Sequence, residues 1–258
     1  MKTIGFIGVG ELALYTIRGV RRGGYRGPVL LSPRNHDKAA LLAAQYDCVV
    51  QEDNQAVVDN SDCVVIATRP ADCMATLAAL NFRPGQLLLS VVAGIEIEQL
   101  QTALPDGIDI VRAMPVSSAE AGASPTLIYP DNEFVHEFFN HCGNTIPVDN
   151  EAFFTQGSVL ACVYCWFFTL FDSLIEATRG PDLPSPLSAQ LVMGMARGAA
   201  ELALTKSDTT PAEIAEGIAT EGTFSKLGLD LLQQNAAFEP WREACELLQK
   251  QLAASKQE

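Results

Sequence analysis

The sequence predicts an α/β chain, in which a helix-covered parallel sheet is followed by an all-helical domain. Three observations carry this. Short apolar runs alternate with helical stretches through the first part of the chain. A glycine-rich turn follows the first apolar run. Near Asp149 the strand-like runs stop and long helical stretches take over. The division falls into a domain over residues 1–150 and a helical domain over residues 151–258.

The elements follow in order. Ile4 to Gly8 reads as a short buried strand. From Gly10 a helix begins, with Leu12, Tyr15 and Val20 available for its buried side, and Gly23-Gly24 marks its end. Val29 to Ser32 is a second strand and Asp37 to Tyr46 a second helix. Cys63 to Ala67 and Leu87 to Val92 are further strands, as are Ile108 to Arg112 and Thr126 to Tyr129. Short apolar strands separated by helices predict a parallel sheet buried on both faces. The helical domain reads as helices over 151–178, 185–205, 211–218, 223–235 and 239–254. Pro181, Pro184 and Pro186 mark the break between the first two.

Composition bounds the function. With 48% hydrophobic and 19% charged residues, a core can be buried and disorder is disfavoured. The net charge is −14, shared evenly between the two predicted domains. An acidic surface repels nucleic acid and anionic lipid, so neither is expected as a partner. Arg18, Arg21, Arg22, Arg26 and Arg34 crowd one early stretch and add local positive potential. Seven scattered cysteines and no secretory signal point to a reducing cytoplasm. His36, His136 and His141 lack metal-ligand spacing, and no metal is expected. Ala152 to Phe171 carries no charge, about the length of a membrane span. Its first turns hold Thr155, Gln156, Gly157 and Ser158, and no basic flank anchors it. A helix buried in a core or subunit interface is the reading, with no membrane contact. Tyr164, Trp166, Phe167, Phe168 and Phe171 on that helix point to burial against a second subunit. Cys162 and Cys165, on the same helix, read as buried and inert.

Gly8-Val9-Gly10-Glu11-Leu12-Ala13 fits the G-x-G-x-x-G/A pattern of a Rossmann-type dinucleotide site. The first glycine makes the turn, the second admits a pyrophosphate and Ala13 lets helix and strand pack closely. The pattern follows a strand and opens a helix, which is the context it needs. Glu11 and Leu12 then offer backbone N–H groups to the anion. An NAD site usually carries an acid at the end of the second strand, to hold the ribose 2′-hydroxyl. Here Ser32-Pro33-Arg34-Asn35 stands instead. Ser32, Arg34 and Asn35 can donate to a 2′-phosphate, and the arginine fork suits one. The cofactor inferred is NADP(H).

These motifs resemble pyrroline-5-carboxylate reductase. The matching stretches are Ile4 to Gly10, Ser32 to Asn35, Val64 to Pro70, Ser90 to Ile95 and Val111 to Pro115. The resemblance implies NADPH-dependent reduction of a cyclic imine to proline, and a homodimer or larger homo-oligomer built through the helical domain. It places Ala67, Arg69, Pro70, Ala93, Gly94 and Met114 along the cofactor. It also implies a substrate-binding turn at Glu221, Gly222, Thr223 and Phe224, with Thr223 as the catalytic hydroxyl. Arg112 is a further candidate for the crevice.

The chain departs from the family pattern in places. The family usually reads Asn-Thr-Pro where Val116-Ser117-Ser118 stands, and has lysine where Arg69 stands. Glu221 replaces a glycine of the substrate turn, and a carboxylate there opposes anion binding. Two other readings stay open: a related reductase of another small imine or carbonyl, and a non-catalytic NADP-binding protein. Thr223 also has a plain reading as a helix cap. β-Hydroxyacid dehydrogenases share the two-part plan but use a lysine in the helical part. No lysine occurs here between Lys38 and Lys206.

Overall fold

The computed structural model describes residues 1–254. They fall into two compact units, one of Met1–Ala161 with the described residues from Leu252 on, the other of Cys162–Gln251.

The first unit is built on eight strands: β1 (Ile4–Ile7), β2 (Val29–Leu31), β3 (Cys48–Val50), β4 (Cys63–Ile66), β5 (Leu87–Ser90), β6 (Asp109–Met114), β7 (Ser124–Tyr129) and β8 (Gly143–Pro147). They form one sheet in the order β3-β2-β1-β4-β5-β6-β7-β8. Every neighbouring pair is parallel except β6 and β7. The sheet is therefore mixed, where the sequence predicts a parallel one. The reason is the length of the link. Only Pro115 to Ala123 separates β6 from β7, with a single 3-10 turn over Ser117–Ala121. A parallel return needs a crossover of a dozen or more residues.

Seven helices accompany the strands: α1 (Glu11–Arg22), α2 (His36–Tyr46), α3 (Asn54–Asp59), α4 (Pro70–Ala78), α5 (Ile97–Gln101), α6 (Glu133–Asn140) and α7 (Glu151–Gly157). Asparagine or aspartate side chains cap four of them, accepting from the N–H of Lys38, Ala56, Val135 and Phe153. Alternation along the strands builds a core on each face. Phe6, Val65 and Leu89 point to one side with Ile17, Leu42 and Phe138. Ile7, Val64, Ile66 and Leu88 point to the other with Val57, Leu77 and Leu100. Each such side chain contributes about 1.5–3 kcal/mol by leaving water.

The helical elements that follow are α8 (Val159–Thr178), α9 (Ser185–Thr205), α10 (Pro211–Ile218), α11 (Phe224–Gln234) and α12 (Glu239–Ala254). The predicted stretch 151–178 is thus divided at Ser158. The Ser158 hydroxyl donates to the Phe154 carbonyl, a back-bond that bends helices. Inside the second unit, Thr178 and Ser188 hydroxyls meet at 2.6 Å across the α8–α9 turn. Trp241 of α12 packs edge-on against Trp166 of α8, ring centroids 6.0 Å apart. Between Cys162 and Gln251 only Ser188 and Ala219 are buried. Phe167, Phe168, Leu170 and Leu174 of α8 are exposed in the single chain. Cys162 and Cys165 are exposed in the single chain as well. By length and composition, the run Glu151–Thr178 is apolar enough to cross a membrane, with 6% of its apolar window buried.

Candidate active site

The strand order reverses between β1 and β4, so their carboxyl ends open a crevice at the switch point. Ile7 pairs with Ile66, and the Ala67 N–H donates to the Ile7 carbonyl at 2.8 Å. The two strands therefore end level. The chain leaving β1 must turn at once, and Gly8 does so at φ +94°. A Cβ there would lie 2.6 Å from the Ala67 carbonyl oxygen, so only glycine fits. At Gly10 a Cβ would meet nothing within 4 Å. That side of the turn faces open space. Gly10 is the N-cap of α1 and supplies no side chain to it. The first N–H groups of α1, at Glu11 and Leu12, are left to an external acceptor. Ala13 is fully buried beneath them. An open, uncapped helix start behind a glycine turn fits the pyrophosphate of a dinucleotide.

A cleft of about 590 Å³ runs along this turn. It brings together Gly8, Gly10, Arg34, Asn35, Ala67 and Arg69 of the predicted set. Thr68 and Asp72 also line it; neither stands out in the sequence. Pro70 opens α4, whose N-cap Arg69 likewise leaves the helix start without a side-chain cap. Arg34 is exposed and forms no ion pair among the described residues. Glu11 is paired instead with Lys38 at 2.6 Å, which moderates a carboxylate beside the phosphate turn. Ala93 and Gly94 follow β5 and Met114 ends β6, on the same edge of the sheet but outside this cleft.

Several side chains have other tasks than the sequence suggests. Ser32 is 1% exposed, and its Oγ accepts from the Gly8 N–H at 3.1 Å, so it braces the glycine turn. The Asn35 side chain accepts from the Lys38 N–H and caps α2. Arg112 is buried and does not line the crevice. Its Nη1 donates to Glu151 Oε1 at 2.7 Å, and its guanidinium lies 4.5 Å from the Phe154 ring centroid. Glu151 Oε1 also accepts from the Ile97 N–H, so α7 is tied to β6 and α5. Sequence reasoning missed Glu151, because its partners are 39 and 54 residues away. Val116 is buried, and its N–H donates to Ser124 Oγ. An apolar residue there serves packing. Arg18, Arg21, Arg22 and Arg26 line a different cleft from the cofactor turn. No cluster of three potential metal ligands occurs among the described residues. Burial pushes the Cys63 and Cys142 thiols up to about 12, so they are inert.

In the helical unit, Gly222 adopts φ +81° and brings the chain into α11. Thr223 is the N-cap: its Oγ accepts from the Lys226 N–H at 3.2 Å and donates to the Thr220 carbonyl at 2.7 Å. Phe224, 94% exposed, and Glu221 flank it. The N–H groups of Phe224 and Ser225 open the helix without an intrahelical acceptor. Lys226 is held protonated first by its hydrogen bond to Asp230 and then by nearby charges, Glu221 among them. The four predicted substrate residues thus form one exposed turn with a helix start behind it.

A pyrroline-5-carboxylate reductase of Mycobacterium tuberculosis is 30% identical over 224 residues, covering 81% of this chain and 76% of that protein. The chain belongs to the pyrroline-5-carboxylate reductase family. Residues 3–94 of this reductase-family chain match the family described as NADP oxidoreductase, coenzyme F420-dependent. Residues 152–252 match the family described as pyrroline-5-carboxylate reductase dimerisation. The fold agrees with solved members. The Streptococcus pyogenes 1-pyrroline-5-carboxylate reductase aligns with a TM-score of 0.86 at 21% identity, covering 98% of both chains. The Plasmodium falciparum pyrroline carboxylate reductase, solved with NADP bound, aligns at 0.85 and 20% identity, again covering 98% of both.

Proposed function

We propose that this chain reduces pyrroline-5-carboxylate to proline with NADPH. The observation that carries the proposal is the phosphate turn at the β1–β4 switch point: Gly8 forced into positive φ, Gly10 open to the cleft, and an uncapped α1 behind them. Family membership supplies the reaction class. In this reading the first unit holds the cofactor through Gly8, Gly10, Glu11, Leu12, Arg34, Ala67 and Arg69. Arg34 faces the 2′-phosphate that distinguishes NADPH from NADH. The bound cofactor supplies a hydride from its nicotinamide.

The chain's own residues bind and orient. The helix start at Gly222 to Phe224 receives the substrate carboxylate in this reading, supported by its free N–H groups. The Thr223 hydroxyl turns from the Thr220 carbonyl to the imine nitrogen, which raises the electrophilicity of the adjacent carbon. The nitrogen takes one proton from the Thr223 hydroxyl, which is reprotonated by solvent, and the carbon takes one hydride, giving the saturated ring. Catalysis here is positioning, not covalent chemistry.

A second copy covers the exposed apolar side chains of α8 and α9, making the active protein a homodimer or larger homo-oligomer. Phe167, Phe168, Leu170 and Leu174 of α8 and Leu187, Leu191 and Met195 of α9 are all exposed in the single chain, and clustered exposed apolar side chains mark interaction surfaces. The seven free thiols fit a reducing cytoplasm. Glu221 supports a second reading, a reductase of another small imine: a carboxylate at the mouth of the substrate turn disfavours an anionic substrate.

The test is NADPH oxidation with pyrroline-5-carboxylate and a panel of uncharged cyclic imines. Turnover of pyrroline-5-carboxylate above all others supports the first reading. Turnover of the uncharged imines alone supports the second. No turnover with any, while NADPH still binds, overturns both.

A further inference from the structure

At the opposite end of α1 from the phosphate turn lies a second cleft, of about 640 Å³. The helix has 12 residues, so about 18 Å separate its ends. Arg18, Arg21, Arg22 and Arg26 line this cleft, with Gln45, Tyr46, Asp47 and Glu120.

The charges in it do not balance. Arg21 is 9% exposed, and its whole fork is committed to main-chain carbonyls. Nε donates to Tyr46, Nη1 to Tyr25 and Gly27, and Nη2 to Asp47. It forms no ion pair among the described residues. Carbonyl dipoles solvate a buried cation but leave its charge in place. Arg22 and Arg26 are exposed and also reach only carbonyls, of Glu120, Arg21 and Tyr25. Arg18 alone has a carboxylate, Glu120 at 2.8 Å. Asp47 is the other acid on the cleft and pairs with none of the arginines, so four arginines face two carboxylates and an excess of two positive charges stands in a protein of net charge −14. The dipole at the end of α1 accounts for Arg21 and Arg22 in its last turn. It does not account for Arg26, which lies beyond the helix and folds back onto the same cleft.

We propose that this cleft binds a small polyanion of the phosphate class, at a site separate from the cofactor turn. The exposed Arg22 and Arg26 forks keep donors available, and guanidinium matches phosphate in two-pronged geometry. The net charge of −14 favours a compact anion over a polymer such as nucleic acid.

The experiment is calorimetric titration of inorganic pyrophosphate into the full-length protein at low salt. Wild type is compared with Arg22→Ala/Arg26→Ala and with Gly10→Glu, which blocks the phosphate turn at a position where a side chain meets no neighbour. The expected result is a site, one per chain, that remains in Gly10→Glu and that weakens about tenfold or more in the double arginine variant, whatever binding the cofactor turn adds in wild type. A matching melting temperature shows that the double variant is folded. Absence of binding to wild type at millimolar pyrophosphate overturns the proposal. So does binding that is lost in Gly10→Glu and unchanged in the arginine variant, because the anion then sits at the cofactor turn.

Discussion

The Gly8 N–H donates to the Ser32 hydroxyl at 3.1 Å, joining the first residue after β1 to the first residue after β2. Ser32 is sealed from solvent, so its effect on a cofactor passes through the glycine turn. Removing the hydroxyl leaves the Gly8 N–H without its acceptor, at a cost of about 1–3 kcal/mol. Ser32→Ala is expected to weaken NADPH and NADH alike, by about fivefold or more. Fluorescence titration of both cofactors checks this. A loss confined to NADPH would return Ser32 to the 2′-phosphate and refute the bracing role.

Arg34 and Asn35 separate in the opposite way. Arg34 is exposed on the cleft, whereas the Asn35 side chain caps α2. Arg34→Ala is expected to lower the NADPH to NADH ratio of kcat/KM by about tenfold, the equivalent of 1.4 kcal/mol. Asn35→Ala is expected to leave that ratio unchanged and to cost about 1 kcal/mol of stability. Steady-state kinetics with both cofactors and a denaturant melt distinguish the two.

The turn and its strand–helix setting were legible in the sequence, because everything they need is local. Gly8, Gly10 and Ala13 lie within six residues, and the strand before them is apolar throughout. The missed elements lack that local signal. β3 is three residues at the sheet edge with Val49 exposed, so no buried run announces it. β8 holds Gly143 and ends at Pro147, both poor strand formers. The antiparallel return into β7 follows from a short link, not from the pattern of the strand itself. Within the site, Ser32 and Asn35 were found by position, but their partners Gly8 and Lys38 decide what they do. The sequence directs Arg112 toward the crevice because its counter-charge, Glu151, is distant along the chain.

That counter-charge makes a stability prediction. Arg112 has a 3% exposed side chain, and its Nε finds no partner, so the Glu151 contact is its main compensation. Glu151→Ala leaves a buried guanidinium with only the Phe154 ring and is expected to cost about 3 kcal/mol. Glu151→Gln keeps an acceptor for Arg112 Nη1 and for the Ile97 N–H, so it is expected to cost less than half as much. Urea melts of the three proteins test the order. Equal losses would mean that the carboxylate charge, not the hydrogen bonds, holds α7 to the sheet.

Thr223 combines a cap with the proposed imine contact, and one substitution separates them. Asparagine caps a helix as well as threonine does but has no hydroxyl. Thr223→Asn is expected to keep stability within about 0.5 kcal/mol while kcat/KM for the imine falls about a hundredfold. Thr223→Ser retains both hydrogen bonds and is expected to stay within a few fold of wild type. A fully active, stable Thr223→Asn protein would reduce Thr223 to a cap.

The exposed face of the helical unit bears on assembly. Phe168 is 54% exposed and Leu204 79% exposed in the single chain, on α8 and α9. Burying a large apolar side chain contributes about 1.5–3 kcal/mol, and each such position counts twice in a symmetric pair. Phe168→Glu places a charge where an apolar side chain is expected to be covered. The wild-type protein is expected to sediment as a dimer or larger species without detergent, and the Phe168→Glu protein to shift toward monomer with its cofactor affinity retained. Retained affinity matters because the phosphate turn lies wholly in the first unit. A wild type that sediments as a monomer, or that needs detergent or vesicles to stay in solution, would mean that α8 is covered by something other than a second copy.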